Sequence, residues 1–287
     1  MTQFYEFFCG GGMARAGLGS GWQCAFANDI DPKKAASYAA NWGRRALKVC
    51  DVADVTVDDV PGTVDLAWAS FPCQDLSLAG SYAGLKGDRS GTFWPFWRLM
   101  DSLGREGRAP RVVVLENVYG TLKSHGGRDF AAIGNALARS GYRFGAVVID
   151  AVHFVPQSRP RLFIIGVRED VSVPGMLVSK RAGDAWHPLG VDEAFWKMSE
   201  MARRKWMWWR LPEPPKRESV FSELIEEKPT GIGWHTAVET ERLLRMMSPL
   251  NREKLERARR TGRRVIGTVY KRTRQNEKGR KVQRAEA

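Results

Sequence analysis

Residues 4–22 read "FYEFFCGGGMARAGLGSGW", and the fold turns on how that stretch is understood. An apolar run from Phe4 to Phe8 has the composition of a buried strand and stops at Gly10, Gly11 and Gly12. Glycine lets a backbone turn sharply or come close to a ligand. The turn is followed by "NDIDP", whose Asp29 stands after a second strand, where an acidic side chain can hold ribose hydroxyls. Arg15 occupies the place of the third glycine in the dinucleotide pattern G-x-G-x-x-G. Read alone, the turn suits a nucleoside cofactor and a plain tight turn equally.

Outward from that turn, apolar runs alternate with helical patterns up to about residue 170. "DPKKAASYAANW" opens a helix with Asp31 as N-cap and Pro32 in its first turn. "VDLAWAS" (64–70) reads as a strand, "SGTFWPFWRLMDSLGREG" as a helix and "RVVVLENV" (111–118) as a strand. "GRDFAAIGNALARSG" is a helix closed by Gly141, and "GAVVID" and "RLFIIGV" are strands. The alternation predicts an α/β domain with a doubly wound, mostly parallel sheet, whose ligands bind beyond the carboxyl ends of the strands.

Composition narrows the class. With 43% apolar and 27% charged residues over 287 positions, wholesale disorder is excluded. No run reaches the roughly 18 apolar residues of a membrane span, and the N-terminus lacks the basic-then-apolar pattern of a secretory signal. Cys9, Cys24, Cys50 and Cys73 are far apart with no C-x-x-C pair. That spacing predicts no metal site and a reducing, cytoplasmic setting. The formal charge is +13, of which residues 252–287 carry +10. Such a segment suits a phosphate-binding surface or a solvated tail.

Four short motifs remain. "FPCQ" puts Cys73 at a strand end, "GDRSGTF" (87–93) leads into a helix, "LENV" puts Glu116 at another strand end, and "QSRPR" (157–161) precedes a strand. Singly each has a bland reading, since cysteine is among the most buried residues and two arginines around a proline can be plain surface. In this order beside the glycine turn, the stretch from Phe4 to Arg168 resembles the DNA (cytosine-5) methyltransferase family. A nicotinamide-dependent dehydrogenase would account for the turn but not for "PCQ", "ENV" and "QSRPR". A catalytically silent binding chain would not need all of them, and RNA as substrate is a further alternative.

The resemblance implies a class I, Rossmann-like catalytic domain over residues 1–172 that uses S-adenosylmethionine, and a smaller, irregular target-recognition region over 173–287. It implies Cys73 as nucleophile, Glu116 at the N3 edge of cytosine, and Arg159 and Arg161 at its O2 edge. For the cofactor it implies Phe8 near the adenine, Asp29 at the ribose, Asp51 at the adenine amino group and Ile30 against the adenine. Gly10, Gly12 and Pro72 would line the pocket, with Phe93 beside them. The Gly- and Ser-rich loop from Ser77 to Asp88 reads as one that closes over duplex DNA, with Gln74, Ser77, Lys86 and Gln157 as contacts. A bacterial or phage modification system with a cognate restriction enzyme is the implied setting. Two blocks that the family carries beyond its recognition region are not recognisable, which leaves open a truncated chain, half of a split enzyme completed by a second chain, and a degenerate copy that keeps the motifs without the activity.

The chemistry explains the residue types. Cytosine C5 is too weak a nucleophile for a sulfonium donor until a thiolate adds at C6, and cysteine is partly ionised near neutral pH. The base must leave the duplex to be reached. In the last region the Gly and Asn of "RRVIGTVYKRTRQNEKGRK" suit a hairpin, and Lys271, Arg272 and Arg274 are its candidate DNA contacts. Trp196, Trp206, Trp208, Trp209 and Trp234 are expected as core of that small region rather than base-stacking groups.

Overall fold

In the computed structural model, every residue is described except 73–91, 184, 263, 264, 266, 268, 276–279 and 287, and the side chains of Ser222, Arg274, Gln275 and Glu286. The chain divides into two units, Met1–Arg217 and Glu218–Ala287.

The first unit is built on a seven-stranded sheet of order β3-β2-β1-β4-β5-β7-β6. Its strands are β1 (Thr2–Phe7), β2 (Trp22–Asp29), β3 (Leu47–Val49), β4 (Leu66–Ala69), β5 (Val112–Val118), β6 (Tyr142–Asp150) and β7 (Pro160–Arg168). Pairing is parallel from β3 through β5, and β7 runs antiparallel to both β5 and β6. The expected mostly parallel α/β sheet is therefore what the chain forms. Because β1 lies between β2 and β4, the connections leave it to opposite sides, and a crevice opens at its carboxyl end.

The first unit also holds the short helices α1 (Met13–Leu18), α5 (Leu189–Trp196) and α6 (Glu200–Arg204) and the strand pair β8 (Val178–Ser179) and β9 (Trp208–Trp209). Its longer helices follow the sequence signals. In α2 (Pro32–Trp42), Asp31 caps the N-terminus by accepting from the Lys33 and Lys34 amides, with Pro32 in the first turn. In α3 (Phe93–Arg105), Phe93, Phe96, Trp97, Met100 and Leu103 recur at helical spacing and are buried. Phe130, Ile133 and Leu137 do the same in α4 (Arg128–Arg139). Both helices cover one face of the sheet with Tyr5 and Phe7, while Phe4 points to a second cluster with Tyr38 and Leu66. Period-two alternation thus sends neighbours in β1 to opposite, covered faces, which is why the run from Phe4 to Phe8 is apolar apart from Glu6.

The first unit runs past the boundary expected after residue 172, because the following segment packs onto the sheet. Trp186, Met207 and Trp209 form a buried cluster with Val147 and Val167. The Met207 amide donates to the Phe144 carbonyl at 2.6 Å, and the Trp209 indole donates to Ile165 O at 3.2 Å. Trp206 packs edge-on against Phe144 and Phe130. The tryptophans expected to form a small-domain core therefore split. Trp206, Trp208 and Trp209 belong to the first unit, whereas Trp196 and Trp234 are exposed. The second unit contains α7 (Ala237–Arg245), α8 (Pro249–Arg260) and the expected antiparallel pair β10 (Tyr270–Gln275) and β11 (Lys281–Glu286). No described helix is long and apolar enough to cross a membrane.

Gly145 shows how closely the segment after Trp206 lies on β6. A Cβ there would stand 1.9 Å from the Met207 carbonyl oxygen. Gly145→Ala is expected to cost about 3 kcal/mol or more of unfolding free energy, read by urea denaturation. An unchanged midpoint would contradict this packing.

Candidate active site at the carboxyl edge of the sheet

The glycine turn leaves β1 through two left-handed glycines, Gly10 (φ 54) and Gly12 (φ 83), and through Phe8, also left-handed at φ 55. That conformation is costly for a bulky residue and is retained where surroundings enforce it. Asp29, 4% exposed, accepts from the Gly10 amide at 2.8 Å through Oδ2 and from the Asp31 amide at 2.9 Å through Oδ1. Its carboxylate fastens the turn, and its remaining lone pairs are what a ligand could use. Ile30, next to it, is 61% exposed. Asn28 is buried and donates to the carbonyls of Lys48 (3.2 Å) and Cys50 (3.0 Å). This fixes the chain entering Asp51, whose side chain accepts from the Ala53 amide at 2.9 Å.

Phe93 is 1% exposed, stacked on Trp97 and 5.4 Å from the Phe71 ring, so it supports Phe71 from within the core. Phe71 in turn lies edge-on to Phe8 at 6.5 Å. The position at the start of an apolar helical stripe decides this, because the stripe faces the sheet.

Beyond β4, the Ser70 amide donates to Phe7 O at 3.3 Å, Phe71 is buried and Pro72 is exposed. Cys73, Gln74, Ser77 and Lys86 lie outside the described residues. Among the described cysteines, burial pushes the thiols of Cys9, Cys24 and Cys50 above the ordinary range, which disfavours the nucleophilic thiolate in each.

Glu116 and Arg161 are brought together, with Arg161 Nε 3.2 Å from Glu116 Oε1 and both side chains partly buried. Arg161 is opposite Val118 in the β5–β7 register. Arg159 and Gln157 are exposed in the loop before β7. The Arg159 amide donates to Asp150 Oδ1 at 2.6 Å, and Ser158 Oγ donates to Asp150 Oδ2 at 2.9 Å.

Three residues of this edge escape the motif reading. Asn117 donates to the Phe71 carbonyl at 3.1 Å and accepts from the Val118 amide (2.8 Å) and the Thr121 hydroxyl (3.0 Å). It ties the end of β5 to the chain two residues before Cys73. Asp150 fastens the loop carrying Arg159; its signal was an acidic residue ending the apolar run "GAVVID". Glu6 lies in β1 below the turn, 1% exposed, with Oε1 accepting from the Arg15 amide at 3.4 Å and Oε2 buried without a hydrogen-bond partner among the described residues.

In the second unit, strand alternation divides the candidate contacts. Lys271 pairs with Ala285, which is buried, whereas Arg272 pairs with Arg284 and Arg274 with Val282. Lys271 and Arg272 thus face opposite sides of the ribbon. Arg284 joins Arg272 on one side, a pairing that the linear charge run does not reveal.

The chain matches the C-5 cytosine-specific DNA methylase family over residues 2–285 and belongs to it. It is 32% identical over 173 residues to the type II methyltransferase M.Bsp6I of Bacillus sp., covering 58% of this chain and 53% of that protein. It is 27% identical over 237 residues to the type II methyltransferase M.MspI of Moraxella sp., covering 80% and 52%. The chain spans about half the length of these curated relatives. Among solved structures, a mutant DNMT2 of Spodoptera frugiperda aligns with a TM-score of 0.50 at 22% identity, over 64% of this chain and 54% of that one, a likeness of fold.

Burial pushes the Glu6 carboxyl up from 4.5 to about 7. A raised carboxyl pKa means that the folded state holds the proton more tightly than the unfolded chain. The resulting stabilisation is complete below pH 4.5 and is lost as pH rises through about 7. It amounts to ~3 kcal/mol. Glu6→Gln is expected to flatten thermal stability between pH 5 and pH 8 relative to the native protein. An equally steep profile in the variant would contradict the assignment.

Proposed function

We propose that this chain transfers a methyl group from S-adenosylmethionine to C5 of cytosine in duplex DNA, by covalent addition of Cys73 to C6 of a base turned out of the helix. The observation that carries the reading is the meeting, at one sheet edge, of the glycine turn, the chain entering Cys73 and the Glu116–Arg161 pair. The described residues suit the cofactor chemically. Ile30 offers an exposed apolar face, Asp29 keeps acceptor capacity beside the turn, and Asp51 stands at the next strand exit. Gly10 and Gly12 allow the backbone to approach a ligand, with Phe8 and Pro72 flanking the crevice. When bound, the cofactor supplies a methyl group on a positively charged sulfur.

The chain's own residues would do the rest. The Cys73 thiolate forms a bond to C6, and the C5–C6 double-bond electrons become available at C5. A carboxyl at position 116 stabilises the electron density moving toward N3, and Arg161, held against it, keeps it oriented. Arg159 is available for the O2 edge. After C5 has gained its methyl group, loss of the C5 proton restores the double bond and expels the thiolate. Gln74, Ser77, Lys86 and Gln157 would meet the DNA near the vacated base position.

The second unit is the proposed target-recognition part, joined functionally by residues from 173 onward. Arg272 and Arg284 on one side of the β10–β11 ribbon suit phosphate oxygens or guanine edges. Duplex DNA is the proposed partner. A cognate restriction enzyme fits the description of the relatives as type II methyltransferases.

The test is transfer of labelled methyl from S-adenosylmethionine to mixed-sequence duplex DNA. Label is expected in DNA with the native chain and at background level with Cys73→Ala, while DNA binding is retained. Near-normal turnover by the variant would overturn the nucleophile assignment, and bound DNA without label from the native chain would overturn the enzymatic reading.

A further inference from the structure

Three successive glycines make a turn with many accessible conformations, and holding it in one shape costs entropy. The structure contains a device against that cost which the cofactor motif does not include. Trp42, the last residue of α2, donates its indole N–H to the Gly11 carbonyl at 3.2 Å. A Cβ on Gly12 would meet Trp42 Nε1 at 2.3 Å and the Tyr38 ring at 3.0 Å, so the indole lies directly against the backbone of the turn.

The indole is itself held. The Arg15 guanidinium lies 4.9 Å from the Trp42 ring centroid and donates to Tyr38 Oη at 3.0 Å. Tyr38 is fully buried and donates to Cys24 Sγ at 3.4 Å. Arg15 stands where a dinucleotide site has its third glycine, and the same substitution that breaks that pattern supplies this contact. Cation–aromatic stacking and the hydrogen bond fix Arg15 between two side chains of α2.

We propose that Trp42, clamped by Arg15 and Tyr38, is a positioning residue that holds Gly10–Gly12 in the conformation competent for cofactor binding. The proposal rests on the reading of this turn as the S-adenosylmethionine site. Its content is preorganisation: the turn is shaped before the ligand arrives, so ordering it does not weaken binding. Trp42 needs no contact with the cofactor for this.

The experiment compares native protein with Trp42→Phe, which keeps an aromatic ring but lacks the N–H, and Trp42→His, which restores a ring N–H. Backbone hydrogen exchange is measured on unliganded full chain, and S-adenosylmethionine affinity by calorimetry. Faster exchange in the peptide spanning residues 8–13 is expected for Trp42→Phe, with affinity for the cofactor about tenfold weaker and affinity for DNA alone unchanged. Trp42→His should recover part of both losses. Arg15→Met, which removes the clamp but leaves the indole, is the second variant and should quicken exchange in the same peptide. Native exchange in that peptide and native cofactor affinity in Trp42→Phe would overturn the proposal. Should the native chain take up no S-adenosylmethionine, the functional reading fails, while the exchange comparison still decides whether Trp42 holds the turn.

Discussion

β7 runs against its neighbours, and the candidate chemistry depends on that reversal. In a parallel sheet, residues that begin a strand lie at the amino edge, ~27 Å from the carboxyl edge for a strand of this length. Reversed between β5 and β6, β7 begins where β5 ends, so Arg161 stands opposite Val118 and reaches Glu116. The loop before it, with Gln157 and Arg159, comes to the same edge and is fastened there by Asp150 at the end of β6. An arginine at the start of one strand and a glutamate near the end of its neighbour meet because the two strands run antiparallel.

The remaining parts of the edge are held by polar side chains used inwardly. Asp29 accepts from two backbone amides, Asn28 from within the sheet fixes the exit of β3, and Asn117 binds the carbonyl two residues before Cys73. Each leaves its strand at the crevice end and satisfies backbone groups that the turns expose. Rigid supports of this sort keep reacting groups in register. Glu6 is the exception, a carboxyl beneath the turn with a buried oxygen that has no hydrogen-bond partner among the described residues, better tolerated protonated than charged.

Much of this was legible in the sequence. The apolar runs and caps led to β1, β4, β5, β6 and β7, a strand before Asp29, and helices α2, α3 and α4, because buried strands and amphipathic helices differ in period; the three-residue β3 was not read. The motif order led to the family, which the match over residues 2–285 bears out. What escaped was pairwise geometry. Phe93 opens an apolar helical stripe, but its partners Phe71 and Trp97 are visible only in the fold. Trp206, Trp208 and Trp209 follow a composition change that suggested a new domain, yet they cover β6 and β7 of the first unit. Lys271 and Arg272 are adjacent in sequence and opposite in space. Asn117 was read only as part of a strand-end motif, since nothing linear points to its partner Phe71.

The central claim is that Cys73 attacks a cytosine delivered to this edge. The most direct measurement is incubation of the chain with S-adenosylmethionine and duplex DNA in which cytosine carries fluorine at C5. Fluorine cannot leave as the C5 proton does, so the thiol remains bonded to C6 after methyl transfer. The account predicts a protein–DNA adduct stable to denaturation, with the DNA attached to the peptide containing Cys73. An adduct mapped to Cys9, Cys24 or Cys50, or no adduct from protein that binds both cofactor and DNA, would contradict it.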